Sequence, residues 1–190
     1  MSLPEPEKSV VRLARAGNAG AFEQIVRLYE RITYNLAFRM TYNREDACET
    51  VQEVFVRLFR NFDKFEYTKK FGPWFMKLAV NVCINEAKRR SRGRALGSGG
   101  PDADPGAEPD TDRPGVLDTV QRKERDRTVR KAIEELDPPY RTIVTLRYLE
   151  DLSYRDIGEI LDLPQGTVKT RLFRAREALR GKLEKAGIGT

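Results

Sequence analysis

The 190-residue chain has no histidine, only two cysteines, Cys48 and Cys83, and a single tryptophan. Without imidazole there is no side chain that titrates near neutrality, so histidine acid–base catalysis is excluded. The usual zinc sites need four cysteine or histidine ligands and cannot be built from two thiols. Two thiols far apart in sequence suit a reducing compartment better than a disulfide scaffold. Both lie among apolar neighbours and are expected to pack rather than to act as redox sensors. No apolar run approaches the ~18 residues of a membrane span, and the first residues lack the apolar core of a signal peptide. No segment alternates with period two, which argues against strands. Glycine-rich phosphate loops, nucleophile elbows and convincing carboxylate pairs are also missing. The expectation is a cytoplasmic, all-α, non-enzymatic protein that uses neither metal nor cofactor.

What is present is charge. Charged residues make up 34% of the chain and apolar ones 39%, with a net charge of +6 and a pI near 9.4. Such a balance favours a polyanionic partner. Residues 1–92 carry 17 basic and 11 acidic side chains, residues 93–117 carry 2 and 5, and residues 118–190 carry 16 and 13. The acidic middle segment also holds ten Gly or Pro and almost no large apolar side chain. It cannot bury enough surface to offset its ordering entropy and reads as a disordered linker between two domains, 1–92 and 118–190. Relaxed it spans about 25–30 Å and taut roughly 85 Å, enough to tether two domains across one to two turns of duplex at ~34 Å per turn.

Helical periodicity runs through both flanks. Residues 1–17 read as a short polar lead into a helix, with Val10, Val11, Leu13 and Ala14 available to cover the next one. From Ala19 to about Met40, Phe22, Ile25, Val26, Tyr29, Ile32, Leu36 and Met40 keep a helical step. A helix from about Glu45 to Phe62 collects Ala47, Val51, Val54, Phe55, Leu58, Phe59 and Phe62 on one face and leaves Glu49, Gln52, Glu53, Arg57 and Arg60 outside. A third starts at Gly72-Pro73, where proline suits a first turn, and passes Trp74, Phe75, Leu78, Val82 and Ile84 to a basic end, Lys88-Arg89-Arg90. After the linker, a helix over Val120–Leu136 turns Val129, Ala132, Ile133 and Leu136 inward. Asp137-Pro138-Pro139 stops it and caps a helix bearing Tyr140, Ile143, Val144, Leu146 and Tyr148.

The stretch from Ser153 to Arg180 is the most informative. Ser153 with Asp156 three residues on marks a helix start, and Ile157, Ile160 and Leu161 form one apolar stripe. Asp162-Leu163-Pro164 interrupts it, and a second helix from near Gln165 turns Val168, Leu172, Ala175 and Leu179 inward. Its other faces carry Lys169, Arg171, Arg174, Arg176 and Arg180 against one acid, Glu177. A narrow apolar keel with cationic flanks suits a helix lying in the major groove. Gly158 in mid-helix points to a close crossing. Taken alone, the pair fits either a helix-turn-helix or an ordinary charged surface helix.

The whole constellation is more specific. AIEELDPPYRTIVTLRYLEDLSYRDIGEIL followed by LPQGTVKTRLFRAREALR resembles the fourth conserved region of the sigma factors of bacterial RNA polymerase. DACETVQEVFVRLFRNFDKF is similar to their second region. The chain resembles the small extracytoplasmic-function (ECF) group of the sigma-70 family over about residues 19–92 and 119–184. The resemblance implies a promoter-specificity subunit of core RNA polymerase that helps melt DNA, and it implies three contacts. Glu49, Gln52 and Glu53, with Arg57, would dock on the clamp helices of the largest subunit. Lys64, Phe65, Tyr67, Lys69, Lys70 and Phe71, with Lys77, Asn81, Lys88, Arg89 and Arg90, would read the minus-10 element and capture a flipped base of the non-template strand. Aromatic faces among cations suit unstacked bases, at ~1–3 kcal/mol per stacking contact. Phe65 and Phe71 read equally well as core, at least one of them, and Trp74 reads better as core. Val80 and Asn85 depart from the family's usual arginine and aspartate.

The third implied contact is the recognition helix on double-stranded minus-35 DNA. Gln165, Thr167, Lys169, Thr170 and Arg171 stand at its reading end, while Arg174 and Arg176 suit phosphates. The same domain would grip the flap tip of the second-largest subunit through an apolar surface. An anti-sigma factor would mask both domains, and the acidic linker would thread near the RNA path. Two rival classes stay open on the residues alone: a stand-alone helix-turn-helix regulator, and a recombinase-type enzyme for which no nucleophile with partners can be assembled.

Overall fold

The computed structural model describes residues 3–95 and 119–188, and the side chains of 3–89 and 125–188. Those residues form eight α-helices: α1 (Lys8–Arg15), α2 (Ala19–Thr41), α3 (Arg44–Asn61), α4 (Phe71–Ala95), α5 (Thr119–Glu134), α6 (Pro138–Val144), α7 (Tyr154–Leu161) and α8 (Gln165–Lys185). A short 3-10 turn over Phe62–Lys64 follows α3, and a π-turn over Thr145–Leu149 follows α6. α4 continues three residues into the segment read as linker; the remainder, 96–117, lies outside the described residues.

Local chemistry explains where the helices begin and turn. The Asn18, Asn43 and Ser153 side chains accept from Ala21, Asp46 and Asp156 backbone N–H groups at 2.9, 3.0 and 3.1 Å, capping α2, α3 and α7. Each satisfies a donor that the first helical turn leaves unpaired. Asp137 does not cap α6 with its side chain, contrary to expectation; its backbone carbonyl accepts from Tyr140 and Arg141 instead. Proline at the first positions leaves fewer donors to satisfy there.

Helices α1–α4 enclose one apolar core. Ile25, Tyr29 and Leu36 of α2 meet Val54 and Leu58 of α3 and Phe75, Met76 and Cys83 of α4, all fully buried. Each such side chain contributes about 1.5–3 kcal/mol relative to exposure. Rings extend this core toward the start of α4, with Tyr29–Phe75 centroids at 4.5 Å, Phe65–Trp74 at 5.1 Å and Phe65–Phe71 at 5.2 Å. The same apolar cluster continues into Ile143, Leu146, Leu152, Ile157, Ile160, Val168 and Leu172 from α6–α8 and the segment between α6 and α7. Leu13, Phe59 and Tyr148, all expected inside, are 52%, 63% and 52% exposed. Cys48 is exposed as well, so only Cys83 is a packing thiol.

The two halves touch. α7 and α6 pack on α4, and α6 reaches the end of α2. Arg141 Nη1 donates to the Met40 carbonyl at 3.0 Å, Nη2 donates to the Leu136 carbonyl at 3.1 Å, and the guanidinium lies 5.8 Å from the Tyr42 ring centroid. Thr142 Oγ1, which donates to the Pro138 carbonyl at 2.7 Å, lies 3.7 Å from Met40 Sδ, and Lys77 of α4 pairs with Asp162 at the turn after α7. Glu150 is largely buried against α2, and burial raises its carboxyl above the ordinary value despite the Asn35 amide, Arg31 and Arg39.

Candidate nucleic-acid and polymerase interfaces

The α7–turn–α8 unit is set by one tight approach. Asp162 adopts the left-handed conformation (φ 53°, ψ 48°), and Leu163 N–H returns to the Gly158 carbonyl at 2.9 Å. A side chain at Gly158 would put Cβ 2.8 Å from the Leu163 carbonyl oxygen, which is why glycine stands in mid-helix. Val168, Leu172 and Ala175 of α8 are buried against this unit. That anchoring turns Gln165, Lys169, Thr170, Arg174 and Arg176 to solvent, with Thr167 and Arg171 half-exposed. The Thr170 hydroxyl donates to the Gly166 carbonyl at 2.9 Å, so it offers an acceptor rather than a donor to a ligand. Arg180, one turn beyond, is occupied by Glu177 and Glu184. Among the described residues Lys169, Arg171, Arg174 and Arg176 have no acidic partner, whereas Arg180 and, on Glu135, Lys182 do.

The second cationic region spans the connection from α3 to α4 and one face of α4. Lys64, Lys69 and Lys70 are exposed and Tyr67 is half-buried. Phe65 and Phe71 are 4% and 2% exposed, and both belong to the core. A base cannot stack on a ring whose faces are already covered, so both are corrected from stacking platforms to the floor of the loop. Trp74 also packs inward, on Phe62, Phe65 and Phe71. Lys77, Asn81, Asn85 and Lys88 recur at helical spacing along one side of α4. Lys77 is engaged by Asp162, Asn81 is exposed, and Arg89 is paired with Glu86. Arg90 lies in α4 but its side chain falls outside the described residues. Val80 is 2% exposed, so this departure from the family pattern presents no group to DNA.

The third region is the outer side of α3. Glu49 and Gln52 are exposed, and Glu53 pairs with Arg57 one turn later. Beside them runs an apolar groove of about 790 Å³ between α2 and α3, lined by Phe22, Val26, Val51, Phe55, Val56 and Phe59. A second groove of about 570 Å³ lies between α5 and α8, formed by Val129, Phe173, Leu179, Leu183 and Ile188, with Arg125, Arg176 and Arg180 at its edge. Phe173 is 57% exposed. Neither groove was read from the sequence: the helical spacing of Phe59 matches that of neighbouring core positions, and Phe173 stands outside the inward stripe of α8.

The described secondary structure is all helical, and it carries two separate cationic surfaces with an apolar groove near each. Comparison with known proteins gives the chain its family. Residues 25–93 match the Sigma-70 region 2 family and residues 126–179 match Sigma-70, region 4. The chain is 36% identical to the ECF RNA polymerase sigma factor SigW of Bacillus subtilis over 184 residues, 93% of this chain and 96% of that one. It is 32% identical to the ECF RNA polymerase sigma-E factor of Escherichia coli K12 over 191 residues, 97% of each. The fold is shared with CnrH in complex with the cytosolic domain of CnrY (TM-score 0.67, 20% identity, 93% of this chain and 96% of that one). It is shared too with the sigma factor RpoE in complex with the anti-sigma factor NepR from Bartonella quintana (0.61, 23%, 86% and 96%). The chain belongs to the ECF sigma-70 family of RNA polymerase sigma factors and directs RNA polymerase to promoters; it is not an enzyme. Among the described residues no helix is long and apolar enough to cross a membrane.

Proposed function

We propose that the two readers divide the promoter between them, residues 1–92 taking the minus-10 element and its melting and residues 118–190 taking the minus-35 element. The observation that carries this is the orientation of α8: Leu172 and Val168 are buried while Gln165, Lys169 and Arg174 face solvent, as a helix lying in the major groove requires. Gln165, Thr167, Lys169, Thr170 and Arg171 are the base-reading set. Arg174 and Arg176 hold phosphates, which position the helix without specifying sequence. On the other half, Lys64, Tyr67, Lys69 and Lys70 surround the flipped base. Lys77, Asn81, Lys88, Arg89 and Arg90 track the separated strand along α4.

Glu49, Gln52, Glu53 and Arg57, with the apolar groove behind them, dock on the clamp helices of the largest polymerase subunit. The α5–α8 groove receives the flap tip. An anti-sigma factor in the cytoplasm competes for the same two grooves; that such a partner exists is supported by the similar structures solved with the cytosolic domain of CnrY and with the anti-sigma factor NepR. The test is a randomised minus-35 library transcribed by holoenzyme. Lys169→Ala and Arg171→Ala should each relax preference at one or two positions by about 1–3 kcal/mol and leave minus-10 preference intact. Loss of preference in both elements alike would refute the division.

A further inference from the structure

The N-terminal arm touches the minus-10 loop at both of the loop's ends, although sequence spacing gives no sign of it. The Glu5 carboxylate accepts from two consecutive backbone N–H groups at the start of α4: Phe71 donates to Oε2 and Gly72 to Oε1, each at 3.0 Å. At the other end Arg15 donates to the Asp63 carbonyl at 2.9 Å and the Phe65 carbonyl at 3.4 Å. Arg12 and Arg15 cover the Tyr67 ring at 5.7 and 5.4 Å. The arm is itself fastened. The buried Tyr29 hydroxyl donates to the Pro4 carbonyl at 2.5 Å, and Leu3 is buried. A side chain at Gly72 would meet Glu5 Oε1 at 2.9 Å and the Pro4 carbonyl at 3.1 Å, so glycine leaves the room in which the arm lies.

Between arm and loop is a cavity of about 310 Å³, lined by Glu5, Lys8 and Val11 on one side and Tyr67, Thr68 and Lys70 on the other. It is at the small end of the ~300–1,000 Å³ range of ligand sites, a size for one ring system rather than a stacked run. Hydrogen bonds from backbone N–H to a carboxylate are roughly twice as strong as neutral ones. A loop held this way is ordered before its ligand arrives, which spares the ordering cost at binding.

We propose that the arm is the closing wall of the minus-10 base pocket and that Glu5 is its positioning residue. The ligand is a single unstacked base of the non-template strand, with its flanking phosphates against Lys8 and Lys70. This rests on the minus-10 reading above and names a part of the site, the arm, that the reading did not contain.

The test uses holoenzyme assembled from core polymerase and the full chain, with single-stranded DNA randomised over the minus-10 positions as probe. Wild type should enrich a preferred base. Glu5→Ala should bind the pool about tenfold more weakly and flatten that preference, and Glu5→Gln, which keeps one good acceptor, should recover part of both. Lys8→Ala should weaken binding of all bases alike and lower the salt slope by roughly 0.7, the contribution of one phosphate contact on a single strand. Core affinity and binding to duplex minus-35 DNA serve as controls, because a general folding defect would lower them too. If Glu5→Ala folds poorly, the Glu5→Gln arm carries the test alone. Wild-type enrichment that survives unchanged in the Glu5 variants overturns the positioning role. Absence of any enrichment by wild type instead overturns the minus-10 reading, and the arm's role falls with it.

Discussion

Gly158 is the position at which a single methyl group would do most damage to the helix-turn-helix. Its Cβ would fall 2.8 Å from a backbone oxygen, which cannot rotate away as a side chain could. Gly158→Ala should therefore destabilise the fold by about 1–3 kcal/mol, read as a lower Tm, with a matching loss of minus-35-dependent transcription. The thiols give a second residue-scale check. Burial pushes Cys83 up to about 12, whereas Cys48 is exposed. A maleimide near neutral pH should label one thiol per native chain and two after denaturation; two in the native state would contradict the packing. Glu150 supplies the pH dependence. Its native carboxyl is held above the ordinary value of 4.5 by burial, so its contribution is fully present below that value and lost as pH rises through the native one. Glu150→Gln should raise the Tm at neutral pH and match wild type near pH 4.

At the scale of elements, most helix ends were legible because the residues that set them act locally. Ser153, Asp162 and Pro164 bracket α7 within a dozen positions, and the observed span Tyr154–Leu161 follows from them. Helix α8 was legible for the same reason, since its keel and its cations alternate at a fixed step. The loop before α4 was only half legible. Phe65 and Phe71 look the same in sequence whether they stack on bases or fill a core, and the rings of Tyr29, Trp74 and Phe75 decide for the core. The contact of the arm with the loop could not be read, because Glu5 and the two N–H groups that donate to it are 66 and 67 positions apart in the chain. The α2–α3 groove offers an element-scale test. Phe59 is 63% exposed, so Phe59→Ala should leave the Tm nearly unchanged. Affinity for core polymerase should nonetheless fall about tenfold or more, as for an aromatic at the centre of an interface. Unchanged affinity would move the docking face elsewhere.

Across the whole molecule, the contact between the halves sets a condition on function. Lys77 and Asp162 touch, yet on the proposed division one belongs to the half that takes the minus-10 element and the other to the turn of the half that takes the minus-35 element. Elements 25 base pairs apart are separated by roughly 85 Å of duplex. The proposed division therefore requires the halves to part before both elements are engaged. The exposed Lys77–Asp162 pair resists this by no more than about 0–1 kcal/mol. Hydrogen bonds from a charged group are worth about 1.5–3 kcal/mol, which makes Arg141, donating to the Met40 carbonyl, the stronger tie. Arg141→Ala should enlarge the radius of gyration of the free chain in solution scattering, and an unchanged radius would show that other contacts hold the halves. The central claim, that one chain supplies both promoter contacts to polymerase, is tested most directly by transcription in vitro. Purified chain added to core polymerase on a promoter library should yield transcripts whose templates share two conserved elements, one near minus-10 and one near minus-35. Transcripts without core-bound chain, templates sharing only one element, or no initiation at all would contradict it.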